Sequence, residues 1–323
     1  MAEQQTAPGT FFKQQVELYE QKLTQTQKDI RQVAALRISV FLITVLGIYL
    51  TAGYSLTAVL TVAVVGFSLF GFFVFRHVTL FKRKKWTEKL LHINENELRL
   101  LHRDTTHQQE GIEFTDIGHP FANDLDVFGK RSLFQLLDRS ATYIGRKHLA
   151  LTLLYPLKQK ERVKDRQEAI AELSGIPRWR QAFQALGNID EKDKNSVTGL
   201  LNWAKTTETV FNKPVFKILL IFTPLLGFTD VLLISFGILS FNSFLVFLLL
   251  PLLVLGPRLS QINKAYEFLS RKTSLLEQYS ALFQKTEEKE FHSKIMKNAV
   301  KTLVEEDISA FNVIRQLSVI SKV

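Results

Sequence analysis

Asp124, Asp126, Arg139 and Arg146 fall within one stretch, DLDVFGKRSLFQLLDRSATYIGRKHLALTLLYPL, and carboxylates beside guanidiniums are the raw material of acid-base chemistry. Paired charges near helix ends are more often structural, however, and the residues alone favour that reading. His102, His107 and His119 could ligate a metal, but their spacing matches no compact site and two of them sit in polar sequence, so solvated histidines are expected. The run Lys82-Arg83-Lys84-Lys85 is a candidate contact for anionic lipid headgroups or for nucleic acid. Asp230 is the one charge inside a long apolar block: either a proton or ion site, or a carboxylate near the outer headgroups or hydrogen-bonded inside a helical bundle. No second intramembrane charge exists to form a relay with it, which favours the latter.

Other routes to catalysis are closed. Gly129-Lys130-Arg131-Ser132 echoes the end of a phosphate loop without the upstream glycine, and no GxSxG, HExxH or CxxC occurs. Glu287-Glu288-Glu290 and Glu305-Glu306-Asp307 read as solvated helix ends. The chain has no cysteine, which removes disulfides, thiolate metal sites and a thiol nucleophile. A non-enzyme is expected, with no catalytic, cofactor-binding or metal-binding residue.

The elements around these residues follow from periodicity. Asp124 and Asp126 stand where a helix entrance or a tight turn belongs, and Gly129 tolerates positive φ. Ser132 can cap a helix carrying Leu133, Phe134, Leu136, Leu137 and, past Ser140, Ile144 on one face. Gly145 breaks or narrows it, and the apolar run His148 to Leu154 stops at Pro156. The stretch therefore predicts a helical hairpin within a helical domain.

The rest of the chain is organised by grease and charge. The formal net charge is +10, which suits a polyanionic partner, nucleic acid or the anionic face of a membrane. Residues 1–10 are a small, polar tail expected to be disordered. Over 11–37, Phe12, Val16, Tyr19, Leu23, Ile30 and Val33 step by threes and fours, with Thr26 in the polar slot. This is an amphipathic helix that packs on its own protein or, as a homodimer, on a second copy. Residues 38–75 carry no charge and are interrupted at Thr51 to Ser55. One crossing takes about 20 residues, so this is a transmembrane hairpin. Arg31 and Arg37 before it, and Arg76 and the basic run after it, put both ends in the cytosol.

Residues 76–120 hold a basic juxtamembrane helix to about Arg103 and a turn-rich loop, DTTHQQEGIEFTDIGHP. Residues 121–213 are the first half of a helical domain, with helices over Glu161 to Ser174 and from Ile176-Pro177 through Leu186. A polar linker over 187–199 and a short helix from Leu200 to Phe211 follow. Residues 214–257 contain a second apolar block broken at Ser240 to Ser243, read as a second hairpin with basic flanks. A three-helix alternative keeps Asp230 out of the hydrocarbon but puts the two halves on opposite sides, so four crossings are preferred. Residues 258–323 return as a long helix and two shorter ones, around Ser293 to Glu305 and Ile308 to Lys322.

One resemblance overlies this reading. Asp124-Leu125, Phe128-Gly129, Ser132-Leu133, Leu136-Leu137, Arg139, Gly145-Arg146, Leu149, Leu154 and Pro156-Leu157, followed by Arg166-Gln167-Glu168-Ala169, resemble the opening of the core (lever) domain of MutS-type DNA mismatch repair proteins. Residues 258–323 resemble it less distinctly. In that family the lever joins a DNA-embracing clamp to a C-terminal ATPase and transmits nucleotide state by rigid-body motion. The resemblance implies a membrane-anchored branch: an all-α membrane protein with two transmembrane hairpins and a cytosolic lever domain. It departs from the family in lacking an ATPase segment and an N-terminal mismatch-reading domain with its Phe-x-Glu motif, and in carrying a hydrophobic hairpin where the clamp would be inserted. The expected protein is the membrane-anchoring lever portion of a MutS-like ATPase, ending before its ATPase domain. ATP and Mg are expected only with that domain, and double-stranded DNA is the implied partner beside the bilayer. The expected location is the bacterial inner membrane, with N-terminus, core and C-terminus cytoplasmic. The alternative is a membrane-bound helical scaffold or adaptor that binds no DNA.

Overall fold

The structure, a computed structural model, describes residues 7–187 and 274–305, and isolated positions at 226, 227, 229, 230, 233, 234, 238, 308, 309, 311, 312 and 314. By its contacts the chain divides into two units, Met1–Ile189 with Lys289–Val300, and Asp190–Glu288 with Lys301–Val323.

A two-helix hairpin dominates the first unit. Helix α1 runs Pro8–Thr51 with proline in its first turn, where the missing N–H costs nothing. It turns back within four residues. The Tyr54 N–H donates to the Thr51 carbonyl at 3.0 Å, and the Ser55 hydroxyl accepts from the Thr57 N–H at 3.2 Å to cap α2, Leu56–Leu101. At 1.5 Å per residue each helix is about 65 to 70 Å long. The interruption expected at Thr51 to Ser55 is therefore this turn. The boundaries expected at 37/38 and 75/76 do not interrupt either helix, because the junctions Arg37-Ile38 and Phe75-Arg76 carry no glycine or proline and the helical backbone is indifferent to a change from polar to apolar side chains.

A single antiparallel register holds over the whole length. Gly9 lies against Leu101, Tyr19 packs on Leu90 and Ile93, Phe41 meets Phe70 with ring centroids 6.1 Å apart, and Gly66 faces Thr44. The seam carries buried polar residues, Gln15, Thr26 and Thr44 on α1 with Thr87 and Asn94 on α2. Thr26, Thr44 and Thr87 each donate to the carbonyl four residues back, at 2.7, 2.7 and 3.0 Å, so their hydroxyls need no partner across the seam. At Gly66 the helices are so close that a Cβ would stand 2.2 to 2.7 Å from Thr44 side-chain atoms. This is the close approach that small residues permit between membrane helices.

Both helices are long and apolar enough to cross a membrane, and only 11% and 6% of their most apolar stretches is buried. Side chains such as Ile43, Val64 and Phe75, at 68%, 65% and 73% exposure, face outward. An exposed apolar surface of this extent marks an interaction surface, for a membrane or for another protein. Tyr49 and Tyr54 stand exposed near the tip, where an aromatic ring suits a membrane interface. The second apolar block, the linker beyond 187 and the short helix at 200–211 lie outside the described residues, apart from a few positions around Asp230. Asp230 itself is helical.

Below the apolar part, α2 packs on a small helical domain. Helices α3 (Leu133–Leu137), α4 (Tyr143–Leu154), α5 (Lys160–Ser174) and α6 (Pro177–Leu186) follow in order. Ser132 caps α3, its hydroxyl accepting from the Gln135 N–H at 3.2 Å. The single amphipathic helix expected from Leu133 to Ile144 is instead two helices. Thr142 takes the Gly145 N–H at 3.1 Å, and Asp138 takes the Ser140 N–H at 3.0 Å. Such side-chain oxygens compete for backbone donors and pull the chain out of the helix between them. Gly145 thus sits in the first turn of α4 rather than breaking a helix. Of the expected apolar face only Phe134 is buried; Leu133, Leu136 and Leu137 are exposed.

In the second unit a helix covers 274–287, with Leu275, Leu276, Ser280 and Leu282 buried. The Lys294–Leu303 helix, which begins in the first unit, leads to an antiparallel pair, Val304–Glu305 against Ile308–Ser309. Pairing thus replaces the helical start expected at Ile308. Apart from this ladder and one 3-10 turn, the regular structure among the described residues is α-helical.

Gly66→Leu should force the hairpin apart, at a cost of about 1 to 3 kcal/mol for overpacking. Disulfide formation between cysteines placed at Gly47 and Val62 should drop accordingly. Gly71→Leu, where a Cβ meets nothing within 4 Å, should leave that crosslink unchanged.

Candidate functional site

Two residues of the lever resemblance, Arg139 and Arg146, meet carboxylates at a polar joint between α2, α3 and α4. Asp138 and Arg146, with side-chain exposures of 4% and 9%, pair at 3.0 Å from Arg Nε to Asp Oδ2. The other carboxylate oxygen of Asp138 holds the Ser140 N–H, so the turn and the ion pair share one side chain. Arg139 reaches to α2 and forks onto Glu97, Nε to Oε1 at 2.5 Å and Nη2 to Oε2 at 3.1 Å. Its Nη1 donates to the Leu136 carbonyl at 2.6 Å. Bidentate pairs of this kind fix orientation as well as charge. Both guanidiniums are therefore committed to carboxylates, and the joint is equipped to hold α2 to the domain rather than to move protons.

An aromatic nest lies beside the joint. Phe134, with 0% exposure, is ringed by Phe114, Phe128 and, through Phe114, Tyr143, at centroid distances of 5.8, 5.4 and 6.1 Å along that chain. Phe114 belongs to the 104–120 segment, expected as a turn-rich loop, whose 3-10 turn Ile112–Phe114 forms one wall of the core. The Gly129 N–H donates to the Glu110 carbonyl at 2.8 Å, and the Gln135 amide donates to the Gln108 carbonyl at 3.0 Å. Gly111 makes this closure possible: its φ is +67°, and a Cβ there would stand 2.7 Å from the Phe134 ring. Phe114, three residues after Gly111 in a turn-rich loop, was the available signal.

The other expected residues divide between packing and surface. Asp124 and Leu125 are exposed in a run of turns, and Asp126 and Gly129 take positive φ, 46° and 103°. Leu154 is buried with Ala122 and Val127, Leu149 and Leu157 are half-buried, and Pro156 follows the end of α4. Ala169 is buried and Arg166 half-buried, whereas Gln167 and Glu168 face solvent. Lys82, Arg83 and Lys85 are exposed on α2, and Lys84 pairs with Glu88 at 3.6 Å. His102 and His107 are exposed. His119, expected in solvent, instead meets Phe121 edge-on at 4.5 Å and Tyr155 at 5.7 Å. Among the described residues no group of three or more His, Asp and Glu could hold a metal ion.

Two further sets of contacts tie the domain together, α2 to α6 and residues 291–294 to α5 and α6, and neither was legible in the sequence. Asn94, wholly buried on α2, accepts from the Gln181 amide of α6 at 2.7 Å, and the Lys89 ammonium donates to the Ala185 carbonyl at 2.9 Å. Glu172 of α5 receives the His292 and Ser293 N–H groups at 2.6 and 2.9 Å and the Ser293 hydroxyl at 2.5 Å. Trp179 stacks on Phe183 and takes the edge of Phe291, and Lys294 pairs with Asp165 at 3.1 Å. Residues 291–294 are thereby clasped onto α5 and α6. Desolvation pushes the Glu172 carboxyl upward, but the Ser293 hydroxyl and the two backbone donors outweigh it and hold the group below the usual carboxylate range. Glu287 is likewise engaged in the second unit, accepting from the Ser309 hydroxyl at 2.6 Å, where a solvated helix end was expected.

Compared with protein-family models, with curated proteins and with solved structures, the chain gives no match.

Arg146→Met should strand the buried Asp138 carboxylate and lower stability by about 3 to 5 kcal/mol. Adding Asp138→Asn should recover much of that loss in urea denaturation of the detergent-solubilised protein. The clasp should be sensitive to acid. Because the folded pKa of Glu172 lies below its unfolded value, near 4.3, its contribution is complete above that pH and fades as pH falls through the folded value. Protection of the His292 and Ser293 amides from hydrogen exchange, corrected for intrinsic rates, should follow this course, and Glu172→Gln should abolish the pH step.

Proposed function

We propose that the chain is the membrane-anchoring and lever portion of a MutS-like, DNA mismatch repair-type ATPase. The observation that carries this reading is the continuity of α2. It runs without a break from the apolar tip to Leu101, and Glu97 near its end is forked by Arg139 of the lever-like segment. An uninterrupted helix clamped at its polar end by Arg139, Gln181 and Ala185 moves as one body with the domain. A displacement on one side of the membrane boundary is thus felt on the other. In the complete protein, ATP and Mg bound by a following ATPase domain would set the position of the lever, and the lever would pass that state to DNA or to a partner. Under this reading the second apolar block supplies a second hairpin. The protein then crosses the bacterial inner membrane four times, with both termini and the domain in the cytoplasm.

A specific observation favours the second reading, a membrane-bound scaffold without DNA binding. Arg139 and Arg146, two of the arginines of the lever-like segment, are held by Glu97 and Asp138 rather than offered to phosphate. Binding of the full-length, detergent-solubilised protein to duplex DNA decides between the two. The lever reading expects binding at low salt that weakens log-linearly between about 50 and 200 mM, as counterions released on contact compete back. No binding at the lowest salt leaves the scaffold.

A further inference from the structure

Where the apolar part of the hairpin ends, charge begins at once and is of one sign. On α2, Arg76 follows Phe75, and the run Lys82 to Lys85 lies about 9 to 14 Å further along the axis. On α1, the register that sets Phe41 beside Phe70 and Tyr19 beside Leu90 puts Lys28 level with Lys82 and Arg31 level with Thr79. Asp29 is the only carboxylate within 28–37 and 76–85, and the Gln25 amide donates to it at 2.9 Å. Lys28, Arg31, Lys82, Arg83 and Lys85 are all exposed.

The directions in which these cations point identify the partner. Successive helical residues turn by about 100°, so Lys82, Arg83 and Lys85 spread over roughly 160° of α2. Lys28 and Arg31 continue the belt around α1. A duplex lying alongside the hairpin could meet only one side of such a belt. A flat anionic surface pierced by the hairpin meets it on every side at one level. The height agrees: a headgroup layer is about 5 to 8 Å deep, and the Debye length is about 8 Å. The run at Lys82 to Lys85 therefore lies within the reach of the surface potential.

We propose that this collar binds the anionic phospholipid headgroups of the leaflet through which α1 enters and α2 leaves, as a ring around the hairpin. The proposal rests on the membrane-anchoring reading above and adds a lipid class to it. Native mass spectrometry of the full chain, released from detergent with equal amounts of phosphatidylglycerol and phosphatidylcholine, tests it. The wild type should retain phosphatidylglycerol in preference by about tenfold. Joint replacement Lys82→Gln, Arg83→Gln, Lys84→Gln and Lys85→Gln should bring the ratio near parity. The charge-conserving set Lys82→Arg, Arg83→Lys, Lys84→Arg and Lys85→Arg should keep the preference and so exclude misfolding as the cause. Equal retention by the wild type, or a preference untouched by the glutamines, overturns the proposal. So does a loss confined to duplex DNA binding, which would assign the cations to nucleic acid. Labelling of Ser55→Cys by an impermeant maleimide from the far side of proteoliposomes separates the two layers: its absence overturns anchoring, whereas labelling without lipid preference overturns the collar alone.

Discussion

Two helices that run antiparallel for some 65 Å keep one register only if every level of the seam accepts it, and this requirement disciplines the rest of the first unit. Above the charge boundary the seam is closed by small residues, with Gly66 pressed on Thr44. Below it the same register is held by Tyr19 against Leu90 and Ile93. A slip by one residue would drive a side chain into Thr44 and pull Tyr19 from its seat together. The polar side chains in the seam do not oppose this, because the threonines satisfy themselves on their own helix and Asn94 is taken up by Gln181.

The domain then depends on where α2 ends. Glu97 fixes Arg139, Arg139 fixes the turn after α3, and Asp138 in that turn holds Arg146 at the head of α4. These contacts run in series, so the orientation of the first helical turn of α4 is referred back to the hairpin. Burial makes the chain of contacts unforgiving: an ion pair sealed from water contributes little net stability over an apolar pair, but losing one partner leaves a charge that nothing solvates. Such a device specifies an arrangement more than it strengthens one, which suits a part that positions other parts.

The sequence was legible wherever a local rule governs. The turn at Thr51 to Ser55, the cap at Ser132, Pro177 at the start of α6, the end of α4 before Pro156 and the positive φ at Gly129 all follow from what one residue can do to its own backbone. The reading failed where two local rules competed or where a partner was distant. Leu133 to Ile144 has helical periodicity, yet Asp138 and Thr142 capture backbone donors and split it. Glu287 has polar neighbours in sequence, yet it meets a serine hydroxyl in space, and His119, expected in solvent, meets the rings of Phe121 and the distant Tyr155. The Glu172 clasp joins residues 120 positions apart, a separation that carries no periodic signal.

By itself, then, the sequence determined the helical class, the two long apolar helices with a turn between them, and the sign and place of the charge at their base. These depend on composition, hydropathy and single-residue conformational preference, which act within one or two helical turns. Only the tertiary structure decided that the amphipathic and apolar stretches are single unbroken helices in one register. It alone decided that Arg139 and Arg146 face carboxylates, and that a turn-rich loop closes over Phe134. Each of those outcomes depends on which distant surfaces meet, and a linear pattern of side chains does not record its partners.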